Sequence, residues 1–127
     1  MNQSPNPHGI LSMRHLVKYP DCNATQNLFG GQMLAWIDEA AALYASCQMH
    51  SDHIVTRLVG AIEFRVPVPL GYVCSIYTDT QRVGNTSLTV AATVTRRAAA
   101  SNVEDVVCQT HVVFVAIDHL GKPTPWS

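Results

Sequence analysis

Residues 23–49 read NATQNLFGGQMLAWIDEAAALYASCQM, and this stretch decides the fold. A polar loop leads into the pair Gly30-Gly31, after which nothing breaks a helix before His50, a run of about five turns. The glycine pair lets the chain turn sharply and brings bare backbone amides close to a ligand. A helix apolar almost all round belongs inside a protein, so the rest of the chain has to cover it. Its polar residues are few: Gln32, Glu39 and Ser46 recur every seven positions and share one stripe about 40° wide. Asp38 lies outside that stripe, with Leu34, Ala41 and Ala42 one turn away. A carboxylate on such a face is costly unless it is used or paired, and the small alanines leave room for a ligand. Asp38 is therefore either a catalytic acid or a helix carboxylate hydrogen-bonded to a neighbouring strand or partner chain.

Outward from the helix the chain alternates. Residues 10–19 set Leu11, Met13, Val17 and Tyr19 against Ser12, Arg14 and Lys18, a half-buried first strand ended by Pro20. Before it, residues 1–9 carry no signal-peptide pattern and read as a disordered tail, leaving 10–127 as a single domain. Residues 54–66 read as one long strand with Ile54, Leu58, Ile62 and Phe64 on one face. Gly60 falls on that face too, which implies close approach of another backbone or a ligand. Residues 72–83 and 86–97 are two further strands, joined at Gly84-Asn85 in the pattern of a type II′ hairpin. After a loose connection, residues 106–118 form the last strand. Strand, long helix, then four strands is an α+β order: an antiparallel five-stranded sheet wrapped around one long central helix.

Composition narrows the function. At 127 residues one core buries about two-thirds of the unfolded surface. A net charge of −1 with 13% charged residues provides no basic field for nucleic acid and no polybasic membrane patch, so any phosphate must be held by a few local cations. No apolar run reaches the roughly 18 residues of a membrane span. Cys22, Cys47, Cys74 and Cys108 are scattered without a CxxC pair, as expected of reduced cysteines in the cytoplasm. The six histidines show no ligand spacing, so no metal is expected, and His15 and His111 read as structural.

At FGGQMLAWIDEA the sequence resembles the hotdog-fold acyl-CoA thioesterases of the YciA type. Matching pieces are Pro20-Asp21-Cys22-Asn23, Phe29-Gly30-Gly31, Ile37-Asp38, Val83-Gly84-Asn85-Thr86-Ser87 and Val115-Ala116-Ile117-Asp118 followed by Gly121-Lys122. Together they span nearly all of residues 11–125. Two positions depart from the pattern: Gln26 stands where relatives carry Gly, and Tyr72 where a Gly-Asp pair is usual. The resemblance implies a hotdog fold, hydrolysis of acyl-CoA without a further cofactor, Asp38 as the catalytic carboxylate and Asn23 completing the site across an interface. It also implies a homodimer at least, built by edge-to-edge pairing of the strand after the helix, with a trimer of dimers as a larger assembly.

Helix geometry leads to the same interface on its own. At 1.5 Å per residue, Asp38 lies roughly 12 Å along the helix from Gly30, out of reach of a carbonyl bound at the first amides, so a partner has to supply the acid. The amides at Phe29, Gly30 and Gly31 can hold a developing oxyanion, while Asp38 can act as general base or as nucleophile. Asn23 offers a donor pair and an acceptor, or else simply closes an Asx turn. Further candidates for substrate contact are Gly60, Thr86, Ser87 and the adjacent cations Arg96 and Arg97, either of which suits a coenzyme A phosphate. Two other functions share these features: a hotdog hydratase or dehydratase, which wants a catalytic His that the helix and its loop lack, and a non-catalytic acyl-CoA-binding protein.

Overall fold

The computed structural model describes residues 6–126. Five strands, β1 (Ile10–Leu16), β2 (Ile54–Val59), β3 (Val73–Val83), β4 (Ser87–Arg97) and β5 (Asp105–Ala116), form one antiparallel sheet in the order β1-β3-β4-β5-β2. One helix, α1 (Gly30–Met49), lies across it. Of the stretch 1–9, positions 1–5 fall outside the described residues, while 6–9 are a turn rather than a tail. The Gly9 amide donates to the Asn6 carbonyl at 3.0 Å, and the His8 ring sits 5.9 Å from that of Tyr77.

The helix ends where expected, because His50 takes a left-handed conformation (φ 51°) and the Ser51 amide closes back on the Ser46 carbonyl at 3.1 Å. Met33, Trp36, Ile37, Ala40, Ala41, Tyr44, Ala45 and Met49 recur at three- and four-residue intervals and bury against Ile76, Val90, Val94, Val112 and Phe114 of the sheet. The sheet covers that face only. Leu34 and Leu43, nine residues and hence about half a turn apart, remain 40% and 55% exposed on the two flanks of that stripe, so the helix is not enclosed by its own chain. An apolar helix face left open in this way is a place for a second protein surface.

Several strand boundaries differ from the sequence reading. The expected strand 54–66 is regular only to Val59. Beyond it the chain keeps isolated bonds to β5, from the Gly60 amide to the His111 carbonyl (2.8 Å) and from the Arg65 amide to the Val107 carbonyl (2.9 Å). The first strand stops at Leu16, and a register shift between Leu11 and Met13 turns Leu11 outward. Tyr19 lies beyond it in a short 3-10 helix, Tyr19–Asp21, and is exposed. The hairpin link is not type II′: Gly84 has no positive φ, and its amide bonds the Ser87 carbonyl at 2.9 Å, so Asn85 and Thr86 occupy the tip. Gly84 is needed for another reason, since a Cβ there would collide with the Ser87 hydroxyl.

Candidate active site

The loop before α1 is held from both ends. Bonds run from the Phe29 amide to the Asp21 carbonyl (3.1 Å), from Leu28 to Val68 (2.8 Å) and from Leu70 to Gln26 (2.9 Å). Asn23 organises the middle. Its Oδ1 accepts from the Thr25 amide (3.0 Å), the Thr25 hydroxyl (2.7 Å) and the Asn27 amide (3.2 Å). This is the Asx turn that such a residue favours. With the oxygen committed to the loop, Asn23 has its Nδ2 protons to offer a ligand, and it acts as donor alone. The same turn forces Gln26 to φ 60°, a left-handed conformation that glycine adopts freely and a branched backbone does not.

Gly30 and Gly31 do not make a sharp turn. Both have ordinary helical φ, and α1 starts at them without a side-chain cap. The first backbone bond of the helix is from Met33 to the Phe29 carbonyl, 3.2 Å, which leaves the Gly30, Gly31 and Gln32 amides pointing out of the helix end. Two aromatic rings lean on these positions, so a larger residue would have to push them aside. A Cβ on Gly30 would lie 3.2 Å from the Phe64 ring, and one on Gly31 would lie 3.1 Å from that of Phe29. Beside them opens a cavity of about 270 Å³ lined by Asn23, Gly30, Met33, Phe64 and Pro67 among others. No carboxylate lines it.

Asp38 is elsewhere. Two helical turns on, it stands half-buried on the open face of α1, where the Thr56 hydroxyl donates to its Oδ1 at 2.8 Å. The neighbouring-strand partner considered for this carboxylate therefore exists, and it fixes one oxygen while leaving the other free. Thr56 escaped the sequence reading. The available signal was its parity with Ile54, which places a hydroxyl on the helix-facing side of a strand that is otherwise apolar there.

The remaining candidates separate from this centre. At Gly60 the close neighbour is His111, whose carbonyl accepts from the Gly60 amide at 2.8 Å and whose imidazole Cε1 would lie 2.5 Å from an added Cβ. Arg96 is used internally: it donates to the Pro67 carbonyl, lies 3.7 Å from Asp105 and covers the Tyr72 ring. Arg97 ties down the loop after β4 through the carbonyls of Ala98, Ala99 and Ser101. Each arginine makes its hydrogen bonds through Nη1 alone, and Arg96 Nε is buried without a hydrogen-bond partner. Thr86 and Ser87 line clefts by the hairpin, apart from the Asn23–Gly30 cavity. His15 stacks flat on Trp36, ring centroids 4.1 Å apart, which is a packing role.

Residues 25–101 match the profile of the thioesterase superfamily. The chain is 31% identical over 122 residues to the acyl-CoA thioester hydrolase YciA of Salmonella typhimurium, covering 94% of this chain and 91% of that one. Among solved structures it is similar to Cj0915, a hexameric hotdog fold thioesterase of Campylobacter jejuni. That likeness has a TM-score of 0.83 at 30% identity, over 96% of this chain and 93% of the other. An acyl-CoA hydrolase from Staphylococcus aureus, solved with butyryl coenzyme A and coenzyme A, superposes with a TM-score of 0.83 at 26% identity, over 89% and 68% of the two chains. That hydrolase has also been solved as one Asp-to-Ala and one Thr-to-Ala mutant. By sequence and by its sheet-and-helix architecture, the chain belongs to the thioesterase superfamily and has the hotdog fold.

Proposed function

We propose that the protein is an acyl-CoA thioesterase whose site is shared between two copies of the chain. One observation carries the reading: the cavity with the free helix amides and the Asn23 donor holds no carboxylate, while Asp38 stands half-buried off the sheet-facing stripe of the same helix, one turn from the exposed Leu34. A two-fold arrangement brings the two halves together twice. The unpaired edge of β2 is the natural seam, since β2 ends the sheet and borders the Thr56–Asp38 pair. Similarity to a hexameric thioesterase supports a trimer of such dimers.

The chemistry follows from the parts. The thioester carbonyl oxygen accepts from the Gly30 and Gly31 amides and from Asn23 Nδ2, which stabilise the charge that develops on it. Asp38 of the partner, with one oxygen held by Thr56, uses the other to take a proton from water, or attacks the carbonyl carbon itself. In the first route the water oxygen bonds the carbonyl carbon as its proton passes to Asp38, and the C–S bond breaks to release the free acid; in the second the C–S bond breaks to leave an Asp38–acyl anhydride, which water then cleaves to free acid and the regenerated carboxylate. In both, coenzyme A leaves as thiolate and takes up a proton. No cofactor enters, coenzyme A being part of the substrate. A reducing, cytoplasmic setting suits the four free cysteines, and no helix among the described residues is long and apolar enough to cross a membrane.

The test is an acyl-CoA panel of several chain lengths with a thiol reagent. Steady release of free thiol is the expected result. Tight binding without thiol release at any chain length would replace the hydrolase by a non-catalytic acyl-CoA-binding protein.

A further inference from the structure

Arg96 and Arg97 are each tied to carbonyls of their own chain, whereas two other arginines carry no such bond. Two β-bulges supply them. In β2 the register slips between Thr56 and Leu58, leaving Arg57 as an extra residue. In β3 it slips between Thr80 and Arg82, leaving Gln81 extra. A bulge re-aims the side chains that follow it. Thr80 still faces the helix, bonded to the Tyr44 hydroxyl at 2.7 Å, and strict alternation would put Arg82 on that same side. The slip pairs Arg82 with Thr89 and turns it to the opposite face. There it meets Arg57 in one cleft of about 330 Å³, together with Ser87, Thr89 and Gly84.

The cleft is built for anions. Among the described residues neither Arg57 nor Arg82 has a salt-bridge partner or a side-chain hydrogen bond, and no carboxylate lines the cleft. Two free guanidinium groups beside hydroxyl donors match the oxygens of a phosphate ester or diphosphate. Arg57 also borders an adjoining cleft of about 380 Å³ whose floor includes Val55, Val115, Ile117 and Pro123, an apolar bed of the kind a nucleobase occupies. Thr56, which holds Asp38, is the residue directly before Arg57, so this cleft and the carboxylate sit on the two faces of one edge strand.

We propose that the cleft formed by Arg57, Arg82, Ser87 and Thr89 binds the phosphate groups at the nucleotide end of the coenzyme A thioester. The proposal rests on the thioesterase reading for the identity of the ligand. It makes Arg57 and Arg82 determinants of specificity for the coenzyme A ester over a thioester of bare pantetheine.

Rates on an acyl-CoA and on the matching acyl-pantetheine are compared for wild type, for R57Q/R82Q and for the conservative R57K/R82K. Wild type should favour acyl-CoA in kcat/KM. In R57Q/R82Q that preference should fall at least tenfold, through the KM for acyl-CoA, and R57K/R82K should restore part of it. Calorimetric titration with adenosine 3′,5′-bisphosphate should give a Kd at least tenfold weaker in R57Q/R82Q than in wild type. An unchanged preference or unchanged Kd in a folded double variant overturns the proposal. So does a free bisphosphate that alters the acyl-pantetheine rate while the acyl-CoA KM ignores both substitutions, because the cleft would then serve an effector. If wild type hydrolyses neither thioester, the thioesterase reading fails separately. Titration with coenzyme A still decides the cleft in that case: binding lost in R57Q/R82Q supports it, and binding retained overturns it.

Discussion

The Thr56 hydroxyl donates a 2.8 Å hydrogen bond to Asp38, linking the edge strand β2 to the open face of α1. Hydrogen bonds to charged groups contribute about 1.5–3 kcal/mol, which corresponds to roughly ten- to a hundredfold in rate if the bond orients Asp38 for reaction. Thr56→Val should lower kcat by that factor, with Thr56→Ser close to wild type. Asp38→Asn should abolish turnover and leave a folded protein by circular dichroism. Near-native hydrolysis by Asp38→Asn would remove the residue from the chemistry.

Sharing of the site is tested by mixing. Asn23→Ala and Asp38→Ala chains should each be inactive alone, yet a mixed dimer contains one site with both native residues. Random exchange between equal amounts should return about a quarter of wild-type activity. Exchange verified by mass with no activity regained would place both residues in one chain's site.

Gln26 sits at φ 60°, where a side-chain-bearing residue costs about 1–2 kcal/mol relative to a right-handed conformation. Gln26→Gly relieves this and adds some unfolded-state entropy, for a net gain of about 0.5–1 kcal/mol and a Tm higher by a few degrees. A lower Tm in thermal melts would contradict the strain.

Gly60→Ala should destabilise the fold by roughly 1–3 kcal/mol, because the new methyl meets the His111 ring at 2.5 Å. Trimming the ring should recover part of the loss, so a double-mutant cycle with His111→Ala measures the coupling in denaturant melts. Additive effects in that cycle would show that the imidazole is not the obstacle.

Burial pushes the Cys74 thiol up to about 12 and the Cys108 thiol up to about 11, against an ordinary 9.0. Native protein at pH 8 should therefore lose only Cys47 and Cys22 to an alkylating reagent, and all four in denaturant; mass spectrometry counts them. Above pH 9 the unfolded chain releases thiol protons that the folded one keeps, so stability should fall as pH rises from about 9 towards 11. Flat stability across that range would refute the shift.

Much of this architecture is legible in residue pattern. The apolar run after Gly31 marks α1 to within two residues, and alternation finds all five strands, because both signals arise from which side of an element is buried. What alternation cannot display is a slip in pairing. The bulges at Arg57 and Gln81 depend on the partner strand, and so does the retreat of the chain from regular pairing at Gly60, where a ring from β5 intrudes. In the candidate site, Asp38, Asn23 and Gly30 stand out by residue type. Thr56 does not, since one threonine in a strand looks ordinary until its helix-side carboxylate is placed. Nor does adjacent charge at Arg96 and Arg97 reveal the backbone carbonyls that Nη1 of each side chain bonds, since those come from the loops packed around the strand end.

The bulge at Gln81 also changes which kind of mutation matters near the hairpin. Substitutions there keep the ladder, and deleting Gln81 removes only the extra residue: Thr80 and Arg82 become ordinary alternating neighbours, with Arg82 still opposite Thr89 on the outer face. A frame-preserving loss of that one codon would straighten the strand while every remaining side chain keeps its face.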